Sequence, residues 1–175
     1  MKRLASIAIL AFALGGAAFA QATLTKSATV PTVDGVIGAS EYQYSGSVSS
    51  LKVYATLGSD DMLYIAVEAP TSGWVAAGVG GLKMNGSRLF FGATQNGKPA
   101  FQEKAGVGHF YADAKTLVVK KWAVQTKGED TVLELSLPSS AAVWQGEINA
   151  IFAYSTSSSF TMKHTTRGSL TFTVK

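Results

Sequence analysis

The chemistry open to this 175-residue chain is narrowed first by what it lacks. It has no cysteine and only two histidines, His109 and His164. Thiolate nucleophiles, disulfides and iron–sulfur ligation are therefore closed to it. Gly-x-Ser-x-Gly is absent, so a Ser-His-acid hydrolase has no nucleophile elbow to work from. No His-x-x-x-His pair is present either, which removes the usual starting point for tetrahedral zinc. Acidic residues such as Glu41, Glu103 and Glu134 supply carboxylates for glycoside hydrolysis in principle. No pair of them stands in a recognisable setting, however, and they read as solvent-facing strand or turn positions. Gly78-Val79-Gly80-Gly81 lacks the Lys-Ser/Thr pair and the following helix of a phosphate loop, and reads as a strand end where backbone approaches something closely. No nucleophile–base pair and no open metal position emerges, so the chain reads as a non-enzyme.

The elements that must position any site are strands. Alternating apolar and polar positions rich in β-branched and aromatic residues recur about every ten residues, and no stretch after residue 20 sustains a 3.6-residue apolar period. Residues 51–57 and 62–68 flank Gly58-Ser59-Asp60-Asp61 as a hairpin. Residues 90–94 and 99–103 flank Asn96-Gly97, the pair best suited to the positive φ angles of a type I′ turn. Residues 116–124 and 131–137 pair across a turn at 127–130, Pro138 ends the second of them, and 139–143 offer one short helical turn. Residues 147–154 and 169–174 complete the set, separated by a Ser/Thr-rich link at 155–159. Short strands at this spacing predict an all-β, immunoglobulin-like two-sheet β-sandwich of about ten antiparallel strands.

The N-terminus reads as a signal peptide over residues 1–20. Lys2 and Arg3 precede an apolar run, and Ala18-Phe19-Ala20 provides a small-x-small cleavage site. The mature domain is then 21–175, a single unit of a size that buries one core. The run of roughly a dozen apolar residues falls short of the ~20 that a membrane helix needs, so no membrane span is expected in the mature chain. The product is expected to be exported: periplasmic, cell-surface or secreted. Loss of Lys2 and Arg3 lowers the net charge from +4 to +2 (4 − 2). The basic residues are scattered among acids, and no Arg/Lys stripe is interleaved with aromatics, so no nucleic-acid partner is expected.

Beyond these exclusions stands a conjunction of segments. Gly73-Trp74-Val75-Ala76-Ala77-Gly78-Val79-Gly80-Gly81 leads into Met84-Asn85-Gly86-Ser87 and an apolar strand through Phe91. Met162-Lys163-His164-Thr165-Thr166-Arg167-Gly168 comes near the C-terminus. Together with the opening Val33-Asp34-Gly35 and Glu41-Tyr42, this pattern resembles the DOMON family, which includes the cytochrome domain of cellobiose dehydrogenase. The resemblance spans about 33–174. It implies a β-sandwich with a pocket at one end of the inner sheet and, in haem-binding members, a Met after the Gly-rich strand and a His before the final strand as axial ligands. Those positions match Met84 and His164.

Thioether and imidazole together fill both axial positions of haem iron and favour the reduced state, which suits an electron carrier and leaves no site for oxygen. Without cysteine the haem would be a non-covalent b-type centre in an apolar slot. Trp74, Phe90, Phe91, Phe101, Phe110 and Tyr154 are candidate walls. Each residue keeps an ordinary alternative. Met84 reads equally as a turn residue tucked against the core, and His164 as a surface histidine. His109, which follows Gly106-Val107-Gly108, is open to three roles: replacing His164, lining a propionate pocket or capping a loop. Arg167 suits a haem propionate or a surface ion pair. The leading expectation is extracytoplasmic electron transfer with a diffusing redox partner protein. The competing one is a binding module for a sugar or other small ligand, with Trp74 as a stacking platform, and a third is a structural envelope protein.

Overall fold

The computed structural model describes residues 22–175. The expected leader at 1–20 and the expected mature start at Gln21 lie outside the described residues. In chain order the strands are β1 (Ala22–Leu24), β2 (Lys26–Ser27), β3 (Tyr44–Val48), β4 (Leu51–Gly58), β5 (Met62–Ala69), β6 (Val75–Val79) and β7 (Arg88–Gln95). They continue as β8 (Lys98–Val107), β9 (Phe110–Asp113), β10 (Lys121–Lys127), β11 (Asp130–Pro138), β12 (Val143–Trp144), β13 (Glu147–Tyr154) and β14 (Thr166–Val174). One turn of 3-10 helix, Ser139–Ala141, follows Pro138 as the sequence suggests. Among the described residues no helix is long and apolar enough to cross a membrane.

Two sheets form the sandwich. The first runs β1-β14-β13-β6-β7-β8-β9 with β12 on β13, and the second runs β10-β11-β5-β4-β2 with β3 on β4. The expected hairpins are present. β7 and β8 close through Gln95↔Lys98 around Asn96 and Gly97, whose φ angles of 52° and 73° are those a type I′ turn requires. β4 meets β5, and β10 meets β11, across the other two expected turns. Two pairings are parallel, β1 with β14 and β2 with β4. The first residues described thus add a short strand to each sheet.

The core between the sheets follows the pleat, since alternate residues of a strand face opposite sides. Leu51, Val53, Ala55 and Leu57 of β4 face Val75, Ala77 and Val79 of β6, Phe90 of β7, and Ala150 and Phe152 of β13 in one cluster. Phe90, Phe152 and Phe172 are almost wholly buried there. Each contributes about 1.5–3 kcal/mol by leaving water.

Three sequence expectations change. Residues 116–119, read as strand, are not; β10 starts only at Lys121. The amides of Val118 and Val119 donate to the Glu103 carboxylate (2.9 and 3.1 Å) instead of to a neighbouring strand. Glu103 and Glu134, read as solvent-facing, are 8% and 0% exposed. Glu103 also pairs with Arg88 at 3.1 Å. Glu134 accepts from Tyr42 Oη (2.6 Å), Gly35 N (2.6 Å) and Asp34 N (3.1 Å), fastening the 33–42 segment over the outer face of the second sheet. The Val33-Asp34-Gly35 and Glu41-Tyr42 pattern is therefore a structural clamp, in which Glu41 accepts from the amides of Thr32 and Gly38 at 2.7 Å each.

Candidate functional site

A second apolar cluster lies on the face of the first sheet turned away from the core. While Val75, Ala77 and Val79 of β6 point inward, Trp74 and Ala76 point outward. The same alternation sends Leu89, Phe91 and Ala93 of β7, and Ile151 and Ala153 of β13, to that outer side. Strand register makes them neighbours: Ala76 pairs with Phe91 on one side and Ala153 on the other. Small residues, Ala76, Gly78, Ala93 and Ala153, share this face with the large ones. An outer sheet face this apolar has to be covered.

Two irregular segments cover it. Residues 155–165, between β13 and β14, lay Phe160 on the cluster, and residues 80–87, between β6 and β7, bring Met84 against it. The ring of Phe91 lies 5.3 Å from Trp74, 5.3 Å from Tyr111 and 5.9 Å from Phe160, in edge and tilted geometries. Such pairs add about 0.5–1.5 kcal/mol each beyond simple burial. Trp74, Phe91 and Phe160 are 3%, 6% and 6% exposed, so the cluster is closed. Two clefts open elsewhere on the described surface, one beside Ile37, Tyr42 and Tyr54, the other beside Gly80, Arg88 and Lys115.

One polar atom inside this cluster has no partner: the indole Nε1 of Trp74 is buried without a hydrogen bond. Leaving a buried donor unmet costs about 1–3 kcal/mol. The site therefore keeps an unused donor for an acceptor that the chain does not provide.

Met84 is half-buried on one rim. Its turn is sewn to the β8–β9 hairpin by Gly86 N donating to Gly106 O (3.0 Å), Gly106 N to Ser87 O (2.8 Å) and Gly108 N to Asn85 Oδ1 (2.8 Å). Gly106 is needed here, because a Cβ on it would run into the Met84 carbonyl. His164 is half-buried in the 155–165 segment, four residues after Phe160, with Thr165 N bonded to Tyr154 O at 2.7 Å. Burial, then the positive charges of Arg167 and Lys163, push its imidazole below the usual histidine range. It is neutral near pH 7, with a lone pair free for a metal. Arg167 registers with Ala153 on β14, and so shares the outer face; it is exposed and makes no ion pair among the described residues.

Of the residues singled out from the sequence, Trp74, Phe91 and Met84 come together in this cluster, and His164 and Arg167 lie on or beside the segments that border it. His109 is exposed in the two-residue turn between β8 and β9, next to Gly108, whose amide donates to Asn85 of the Met84 turn. Four candidate walls are elsewhere. Phe90 and Tyr154 face the main core, and Phe101 stacks on Trp122 at 5.1 Å on the core side. Phe110 is 78% exposed. The resemblance implied a pocket at one end of the inner sheet, whereas the cluster lies under loops on that sheet's far face. Sequence reasoning missed Tyr111 and Phe160. The available signal for Phe160 was a lone aromatic in a Ser/Thr-rich link, where an isolated large apolar side chain needs somewhere to be buried.

Chemically, the arrangement offers a soft thioether and a neutral imidazole at the border of an apolar, aromatic-lined cluster. Thioether and imidazole are ligands for transition metals, haem iron among them.

Neither protein-family models nor curated protein sequences yielded a match to this chain. Solved structures did. The cytochrome b domain of pyranose dehydrogenase from Coprinopsis cinerea superposes with a TM-score of 0.56 at 14% identity, covering 70% of this chain and 76% of that one. The cytochrome domain of Myriococcum thermophilum cellobiose dehydrogenase gives 0.57 at 11% identity, covering 71% and 75%. At such identities the likeness is one of fold, and it agrees with the resemblance drawn from the residues. This chain has the two-sheet sandwich fold of the cytochrome domains of those two dehydrogenases.

Proposed function

We propose that the protein is an exported, single-domain electron carrier that binds haem b non-covalently over the second cluster, with Met84 and His164 as axial ligands. The observation that supports it best is the cluster itself: a closed apolar face outside the core, bordered by segments that carry one thioether and one neutral imidazole. The residues present fit the group. The lining is apolar, with small side chains beside aromatic rings, and the unspent Trp74 N–H and Arg167, without an ion pair among the described residues, offer partners for carboxylates. When bound, haem supplies a one-electron iron couple, and Met/His ligation raises its potential while leaving no open coordination site. Trp74, Phe91 and Tyr111 would exclude water. No residue in this reading activates a nucleophile, so the protein acts by exchanging electrons with a diffusing redox partner and not as an enzyme.

Titration of the purified protein with haemin tests the reading. A sharpened Soret band with resolved α and β bands on reduction is expected, as for six-coordinate haem. Met84→Ala should turn the spectrum high-spin or lower the potential, and His164→Ala should weaken binding. A spectrum identical to that of free haemin, or indifference to both substitutions, would overturn it.

A further inference from the structure

The site just described is full. Every ring of the second cluster is packed on another, and Phe160 sits on Phe91 where a flat ligand would have to lie. Something must move before anything binds, and the fold leaves one choice. β6 is hydrogen-bonded on both sides, to β7 and β13, so the floor is fixed. The Met84 turn is tied down by the backbone bonds to Gly106 and by Asn85. The 155–165 segment is different. Its first part is anchored by backbone bonds, Ser155 N to Trp74 O and Trp74 N to Ser157 O, both 2.9 Å, and its last residue by Thr165 N to Tyr154 O. Between those anchors, residues 158–163 are held by three side-chain donors: Tyr111 Oη to Phe160 O (2.6 Å), Gln95 Nε2 to Ser158 O (2.5 Å) and, at the far end, Ser155 Oγ to Lys163 O (3.0 Å).

We infer that Phe160 is an internal plug: it occupies the ligand's place on the second cluster, and the 158–163 strap must lift, breaking the Tyr111–Phe160 hydrogen bond, before a planar apolar ligand can enter. The identity of the ligand rests on the haem reading, but the plug rests on the packing alone. Filling the site with its own phenylalanine keeps a large apolar face out of water when no ligand is present. It also makes the ligand compete with Phe160, so Phe160 and Tyr111 set the rate and affinity of entry. Lifting the strap uncovers Trp74, whose N–H then gains access to an acceptor.

The test compares the unmodified protein with Tyr111→Phe, which keeps the ring and removes the latch, and Phe160→Ala, which removes the plug. Two readouts are used: stopped-flow haemin binding, and amide hydrogen exchange without haemin. For the unmodified protein the observed binding rate should level off as haemin rises, because opening becomes limiting. Tyr111→Phe should raise that plateau, and exchange at residues 158–163, by about tenfold, the equivalent of one buried hydrogen bond. Phe160→Ala should abolish the plateau. If haemin binds the unmodified protein with a rate linear in concentration and neither substitution alters it, the plug is refuted while the haem reading stands. If haemin binds none of the three, the haem reading fails and exchange decides: a tenfold rise in Tyr111→Phe upholds the plug for another flat ligand, and no change refutes it.

Discussion

Removing the Glu134 carboxylate should unfasten the 33–42 segment from the second sheet. Glu134 is fully buried on β11 and receives three donors: Tyr42 Oη at 2.6 Å, Gly35 N at 2.6 Å and Asp34 N at 3.1 Å. In Glu134→Ala all three lose their acceptor, and Tyr42, itself 8% exposed, cannot turn to water. At about 1–3 kcal/mol for each buried unmet donor, and less for the Asp34 amide near the surface, the loss is about 3–5 kcal/mol. That is a large share of the 5–15 kcal/mol typical of a domain, and corresponds to about 10–15 °C in Tm. Glu134→Gln should cost under about 1 kcal/mol, since its carbonyl accepts from the two amides and its NH2 donates to a reoriented Tyr42 hydroxyl.

The pair of variants also predicts a pH dependence. Burial raises the Glu134 pKa above the ordinary 4.5 by more than its three hydrogen bonds lower it. The folded protein therefore holds a proton that the unfolded chain releases in the window from the ordinary value to the raised one. The stabilisation linked to this proton is complete below that window and is lost as pH rises through it. Glu134→Gln has no such term, so the stability of the unmodified protein relative to Glu134→Gln should fall as pH rises through the window. Urea unfolding at a series of pH values measures both effects. A loss under about 1 kcal/mol in Glu134→Ala, or equal behaviour of Ala and Gln, would refute the clamp.

Two further outcomes follow from close contacts. Gly106→Ala should force the 80–87 turn away from β8, costing about 1–3 kcal/mol by urea unfolding and, if haem binds, shifting its spectrum toward that of Met84→Ala. Glu103→Ala should strand the buried side of Arg88 and the amides of Val118 and Val119, costing about 3–5 kcal/mol and opening residues 114–120 to limited proteolysis. Resistance of that loop to protease would argue against its dependence on Glu103.

The hairpins were legible because their signals are local. Asn96-Gly97 dictates its turn by backbone sterics alone, whatever packs around it, and Pro138 ends β11 by the same logic. Met84 and His164 were singled out through the resemblance and their role as haem ligands is a proposal, since a thioether in a turn and an imidazole in a polar link carry no spacing that requires a site. Residues 116–119 misled because Leu117, Val118 and Val119 have strand-like side chains, yet their amides answer to a carboxylate on another strand. Glu103 and Glu134 misled for the converse reason: a charged residue at an alternating position looks solvent-facing until a distant segment folds over it.

By itself the sequence determined the strand content, the all-β class, the local turns and the chemistries excluded by its missing cysteines and scarce histidines. It could not determine which apolar face becomes the core. β6 and much of β7 are buried on both sides, so period-2 alternation separates Phe90 from Phe91 without saying which meets the second sheet. Pairing with β13 and β8 decided that. The same long-range pairing brought Tyr111 and Phe160 onto Phe91 and left the Trp74 N–H unpaired beneath them. Sheet order depends on contacts between residues far apart in the chain, and local preference holds no record of them.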